Sequence, residues 1–400
     1  MRETMRFPFP FPPVPYDPTP QARELMAKCP VSKVAMPDDT PAWLVTGFGE
    51  AREVVTDQRY SRALVFAPGR PRYGADVALE GGILAMDPPE HSRFRKLVAG
   101  AFTGRRIEAL RPSVIKIVNE LIDAMLAGPR PADLVSSFSM VLPAQVICLL
   151  LGVPIEDSGR FFGWVAEIGG DQSRDMERIM AAFGAMSAYM SDLVAAKREA
   201  PQEDLISVLT SASDSDGRLS EPELIQFCMT LLGAGFETTA NMISLSFAAL
   251  CENPEELDRL RADPGLIPGA VEELLRYVNI FGSGAPMARV TREEVCLGGV
   301  TIGAGETVLP AYPLANRDGR AFEDPDRLDV GREPGSHMAF GGGAHHCLGA
   351  QLARLELQEA FRGLLTRLPG LRMTVPLSDV EFREGQLITS MIALPVTWDA

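Results

Sequence analysis

The sequence predicts a mainly α-helical fold with a small β-rich region, organised as one large unit over residues 1–400. Two observations lead there. Apolar residues recur at three- and four-residue spacing through most of residues 90–251, which is the helical period. Short strand-like runs gather in the last third, where residues 295–297 and 300–302 flank Gly298-Gly299 as the arms of a hairpin would.

Taken along the chain, residues 1–20 are rich in proline and are expected to form an extended arm on the surface. Residues 42–46 read as a strand and 50–56 as a helix, with Gly47 between them. Helical spacing is clear over 107–125 and 176–194, and a polar loop is expected at 211–219. Ser220 and Glu223 then make a capping box. The apolar run it opens continues to about residue 251, where Asn253-Pro254 stops it. A single helix of about thirty residues, apolar on nearly every side, belongs in the core. A helix over 269–278, a strand over 307–312, an irregular stretch over 316–335 and a helix over 350–366 follow. Short strands are expected at 372–375, 381–383 and 391–394.

Composition narrows the function. Apolar residues at 46% and charged residues at 23% describe a folded globular chain. A net charge of −15 argues against nucleic acid or an anionic membrane as partner, since both attract basic surfaces. The most apolar stretch, 141–153, is interrupted by Pro143 and Gln145 and is too short to cross a bilayer. The N-terminus lacks the apolar core and cleavage site of a signal peptide, so a cytoplasmic protein without a membrane is expected. Six cysteines with no paired spacing suggest no disulfide framework; most are expected to be small buried residues.

Cys347 stands apart. It ends the glycine-rich run from Phe340 through Gly341 and Gly343 to His345, and Gly349 leads on into the next helix. Backbone N–H groups at such a turn and helix start stabilise a thiolate, and glycines let the backbone approach a flat ligand closely. A phosphate loop would want Lys-Ser/Thr after the glycines, which is missing. Zinc would need a second ligand pair, and no other cysteine pair exists. A cysteine nucleophile would need a base directed at it, a point the residues leave open.

The segment resembles the haem-binding signature of the cytochrome P450 superfamily. Phe340, Gly341, Gly343, His345, Cys347 and Gly349 all fall on its pattern. The resemblance implies a triangular, mainly helical haem-thiolate fold and a haem b whose iron takes Cys347 as axial ligand. It extends to Ala234-Gly235-Phe236-Glu237-Thr238, similar to the family's oxygen-binding kink. There Thr238 would hydrogen-bond the bound dioxygen and Glu237 would help relay protons, with Phe236 shaping the distal pocket. His91, Arg95, Arg289 and His345 match the positions that hold the haem propionates, as two buried carboxylates require. Glu273 and Arg276 match a structural Glu-x-x-Arg motif, completed by Arg332 from the irregular stretch. By family position the substrate pocket would draw on residues 65–85 and 160–185, Ala234, the stretch from Ile280 to Met287, and Leu387 with Ile388.

The implied activity is insertion of one oxygen atom from O2 into a lipophilic small molecule, by hydroxylation or epoxidation. A secondary-metabolite intermediate such as a polyketide, macrolide or terpenoid is the implied substrate class. With no Rossmann fingerprint or iron–sulfur spacing in the chain, electrons would come from a separate ferredoxin and ferredoxin reductase. Arg105, Arg106 and Arg354 are candidates for the docking face. The alternatives are a peroxide-driven or rearranging haem-thiolate enzyme, which would not need the Glu237-Thr238 pair, and a non-catalytic haem sensor.

Overall fold

The computed structural model describes residues 4–12, 14–70, 81–169, 176–213, 219–281, 287–383 and 388–399. The chain falls into two compact units, each made of two separate stretches: Met1–Pro88 with Glu252–Cys347, and Pro89–Cys251 with Leu348–Ala400.

The first unit is built on a five-stranded sheet. Its strands run in the order Val31–Ala35, Pro41–Val45, Thr307–Pro310, Arg289–Thr291, Tyr60–Ser61. Only the pairing of Pro41–Val45 with Thr307–Pro310 is parallel. Alternation along these strands gives two apolar faces. Val34, Leu44, Val290 and Leu309 pack on one side with Phe7, Phe9 and Leu25. Val31, Val45 and Val308 pack on the other with Val54, Val55, Tyr312 and Met338. The second face carries the helix Phe48–Thr56, which later supports the cysteine loop.

Several expectations change here. The N-terminal arm is not a surface arm: Phe7 and Phe9 are 5% and 8% exposed. Phe7 N donates to Ala35 O at 2.8 Å and Ala35 N to Met5 O at 2.9 Å, so the arm extends the sheet edge and buries its aromatic rings. The expected strand at 42–46 lies at Pro41–Val45, and its partner Val31–Ala35 and the helix Pro20–Lys28 were not anticipated. The 307–312 run ends as a strand at Pro310 and turns into the short helix Tyr312–Ala315. The hairpin Val295–Leu297/Val300–Ile302 forms as expected, with both turn glycines at positive φ (55° and 81°), the geometry of a tight two-residue turn.

The second unit is helical, with a small sheet of Ala132–Asp133, Pro395–Thr397 and Arg372–Met373. The 107–125 pattern divides at Leu110 into Gly104–Ala109 and Arg111–Ala127, because Pro112 opens a new helix. The run after the capping box also divides. Glu221–Gly235 and Glu237–Glu252 are separate helices that meet at Phe236. The 381–383 segment makes only an isolated bridge, Phe382 to Met391, and the expected 391–394 strand is displaced to Pro395–Thr397. Ala350–Arg367 lies close against Arg111–Ala127, since a Cβ on Gly363 would come within 2.5 Å of Val118.

The 141–153 stretch is not the most membrane-like segment. By length and composition alone the helical stretch Glu177–Glu199 could cross a bilayer. Its inward side is nevertheless fixed within the unit by buried Met186, Met190 and Val194 and by the buried ion pair Lys197–Asp204 at 2.5 Å. Of the six cysteines only Cys148 and Cys228 are buried; Cys29 and Cys251 are half-buried, and Cys296 and Cys347 are exposed.

Candidate active site

The first unit holds the cysteine loop. Cys347 N donates to Phe340 O at 2.9 Å, His346 N to Gly343 O at 3.2 Å and Gly341 N to Met338 O at 2.9 Å, closing the run into a tight turn. Gly341 and Gly343 have φ of +66° and +61°, a conformation that side chains with a Cβ rarely adopt. A Cβ on Gly343 would sit 1.9 Å from the Val55 carbonyl oxygen, and one on Gly342 would sit 2.7 Å from the Val55 side chain. The glycines therefore serve close backbone contact with Phe48–Thr56, and the Cys347 thiol is left exposed. Gly343→Ala is expected to destabilise the protein by about 3 kcal/mol or more, combining a left-handed backbone cost with a clash. The urea midpoint and cofactor retention check it.

Beneath the loop lies an ion-pair network. Glu273 and Arg276, each 3% exposed, pair at 2.7 and 2.8 Å, and Arg332 Nε donates to Glu273 at 3.1 Å. The structure thus joins the Glu273–Arg276 pair, read as sharing one helix, to Arg332 from the irregular stretch. Arg276 also donates to the carbonyls of Asn316 at 2.9 Å and Pro325 at 2.8 Å. Asn316 Oδ1 in turn accepts from Met338 N at 2.7 Å, two residues before Phe340. Asn316 was missed by sequence reasoning. Its only signal was a small polar residue at the start of the irregular stretch.

His345 and Arg289 also belong to this unit, and Arg289 Nη1 donates to Ala288 O at 3.1 Å. Ile280 and Met287 are half-buried. Leu387 lies outside the described residues, as do 71–80, 170–175 and 282–286 of the expected pocket segments.

The second unit holds the acid–alcohol pair. At the break between the two helices, Thr238 Oγ1 donates to Ala234 O at 2.8 Å and Asn241 Nδ2 to Glu237 O at 2.9 Å. A Cβ on Gly235 would press on Ile147 at 3.0 Å, so this stretch packs closely on Val141–Leu151. Burial raises the Glu237 carboxyl above its ordinary value, and the positive charge of Arg383 opposes the rise. Phe236 is buried, Glu237 and Thr238 are half-buried, and Ala234 is exposed. His91 and Arg95 share the helix Glu90–Ala99, His91 buried and Arg95 half-buried. Gly349 caps Ala350–Arg367, and Ile388 is half-buried.

The donor set tests what a metal here would require. Among the described residues no group of three or more His, Cys, Asp or Glu could hold a bare ion. A single cysteine on this turn fits an iron whose other ligands are supplied by a porphyrin.

The family profile described as Cytochrome P450 matches residues 159–264 and 265–387. The chain belongs to the cytochrome P450 family. This P450 is 46% identical to nocardicin C N-oxygenase of Nocardia uniformis subsp. tsuyamanensis over 99% of both chains. It is 45% identical to mycinamicin IV hydroxylase/epoxidase of Micromonospora griseorubida over 94% of both. Among solved structures it superposes on the LnmA cytochrome P450 hydroxylase of the leinamycin pathway of Streptomyces atroolivaceus with a TM-score of 0.92. That pair is 43% identical and covers 99% of this chain and 100% of the other. As a P450, the chain is a monooxygenase that uses haem b bound through a cysteine thiolate, and it requires O2, a redox partner and a lipophilic substrate.

Proposed function

We propose that this P450 inserts one oxygen atom from O2 into an apolar secondary-metabolite intermediate, a polyketide, macrolide or terpenoid, by hydroxylation or epoxidation. The observation that carries the reading is Cys347, exposed at the end of a turn whose glycines 341 and 343 have positive φ. The relatives' names support the substrate class, since they include a mycinamicin IV hydroxylase/epoxidase and a leinamycin-pathway hydroxylase.

In this reading Cys347 would ligate the haem iron, backed by Phe340, Gly341, His345 and Gly349, while His91, Arg95, Arg289 and His345 would neutralise the propionates. When bound, the haem supplies the iron at which dioxygen is reduced and cleaved. The chain's own task is proton delivery. Thr238 has committed its hydroxyl proton to Ala234 O, so it presents lone pairs and acts as a hydrogen-bond acceptor. The raised Glu237 carboxyl holds its proton closer to neutrality than an ordinary glutamate and can give it up on demand. Ala234, Gly235, Phe236, Ile280, Met287, Leu387 and Ile388 would line the cofactor and substrate space. Electrons would come from ferredoxin and its reductase in the cytoplasm. Arg105 and Arg106 are exposed on Gly104–Ala109, which packs on the helix bearing Arg354, and together they offer basic docking points on an acidic chain.

Thr238→Ala tests the oxygen-activation role. Product formed per NAD(P)H consumed should fall about tenfold, with hydrogen peroxide appearing in its place and the ferrous–CO spectrum unchanged. Thr238→Ser should retain most coupling. If Thr238→Ala couples as well as the unaltered enzyme, the assignment is wrong.

A further inference from the structure

One fully buried cation has no place in the mechanism above. Arg62 follows the edge strand Tyr60–Ser61 and is 0% exposed. Burying a guanidinium is costly unless its N–H groups find acceptors. Here Nε donates to Leu84 O at 2.9 Å and Nη1 to Ala288 O at 3.2 Å. The Phe66 ring covers the group, its centroid 4.8 Å from Cζ.

The main chain of Arg62 is pinned as firmly. Its N–H donates to Asp87 Oδ1 at 2.8 Å, and its carbonyl accepts from Val65 N at 3.1 Å. Asp87 Oδ2 accepts from Ser61 Oγ and, at 2.6 Å, from Arg292 Nη2. Three stretches of the first unit, 60–66, 82–87 and 287–292, therefore meet at one arginine. The planar guanidinium holds its donors in fixed directions toward two separate carbonyls, which the compact ammonium of a lysine on its flexible stem does not. The Ala288 carbonyl also accepts from Arg289 Nη1 at 3.1 Å, so Arg62 is coupled to a residue read as a propionate partner.

We propose that Arg62 is a positioning residue for substrate selectivity, because its guanidinium fixes the spacing between the Leu84 turn and the Met287–Ala288 approach to the next strand. The inference rests on the reading of Leu84 and Met287 as pocket wall. Leu84 and Met287 are themselves half-buried. A change in the separation of two wall segments alters which molecules fit, and leaves the thiolate ligand where it is.

The test uses the haem-loaded protein and two probes, imidazole and phenylimidazole. Both ligate the iron, but only the larger one presses on the pocket wall. In Arg62→Met the Kd of phenylimidazole should rise about tenfold while that of imidazole stays within about twofold. Arg62→Lys, which can keep one of the two carbonyl bonds, should recover part of the difference. The red-shifted ferrous–CO band of thiolate ligation should persist in both variants. Equal shifts for the two probes, or no shift for either, would overturn the proposal. So would loss of haem from both variants, since Arg62 would then serve folding and not selectivity. Failure of the underlying haem reading is seen separately, as an unaltered protein that gives neither the thiolate band nor an imidazole shift.

Discussion

Replacing Cys347 with histidine is expected to abolish O2-dependent turnover, by about a thousandfold or more, and to remove the red-shifted ferrous–CO band. Imidazole can still ligate the iron, but it is neutral and lacks the thiolate's electron donation, which favours O–O cleavage. The fold should tolerate the change. Cys347 is exposed on the turn, and what shapes that turn is the main-chain bond from residue 347 to Phe340 O and the glycines at 341 and 343. Those main-chain bonds do not involve the side chain at 347, so the turn should keep its shape in the variant. Loss of function with an unchanged urea midpoint would therefore assign the effect to ligation. A Cys347→His protein that kept the red-shifted band would show that the ligand is another residue.

The parts of the site that were legible in the sequence are those whose geometry is local. The cysteine turn is set by glycine spacing over ten residues, and Glu273 and Arg276 share a helix face at i,i+3. The capping box at Ser220 and Glu223 forms as read, because both of its bonds span only three residues. What depends on distant packing was not legible. The break at Phe236 was implied only by the resemblance to the oxygen-binding kink; helical spacing runs straight through it, because a helix glycine costs only about 1 kcal/mol, too little to signal an interruption. The N-terminal prolines suggested a solvated arm, yet burial of Phe7 and Phe9 beside the Val31–Ala35 edge decided its place. Val31–Ala35 itself carries Ser32 and Lys33 in a five-residue run, which is too short and polar to read as a strand. Arg62 and Asn316 were invisible for a related reason. Each acts through carbonyl or amide partners tens to hundreds of residues away, as with Arg62 to Ala288 and Asn316 to Met338.

The network beneath the cysteine turn carries the second large effect. Arg276→Met is expected to destabilise the protein by about 3–5 kcal/mol, the range for removing one partner of a buried ion pair. The Arg276 and Glu273 side chains are 2% and 1% exposed, so solvent does little to screen the charge that remains. Glu273 would keep Arg332 Nε at 3.1 Å and Asp329 N at 3.0 Å, but would lose both of its shorter bonds to Arg276. The carbonyls of Asn316 and Pro325 would lose the Arg276 donor as well. Asn316 is the link to function, because its side chain holds Met338 N where the cysteine turn begins. The variant should therefore release haem faster than the unaltered protein, and its ferrous–CO band should shift toward the form that lacks thiolate ligation. The double variant Glu273→Gln/Arg276→Met removes both charges and should regain part of the lost stability relative to Arg276→Met alone. A urea midpoint and a haem-release rate for all three proteins decide the matter. An Arg276→Met protein that kept both values would show that the cysteine turn stands without the network.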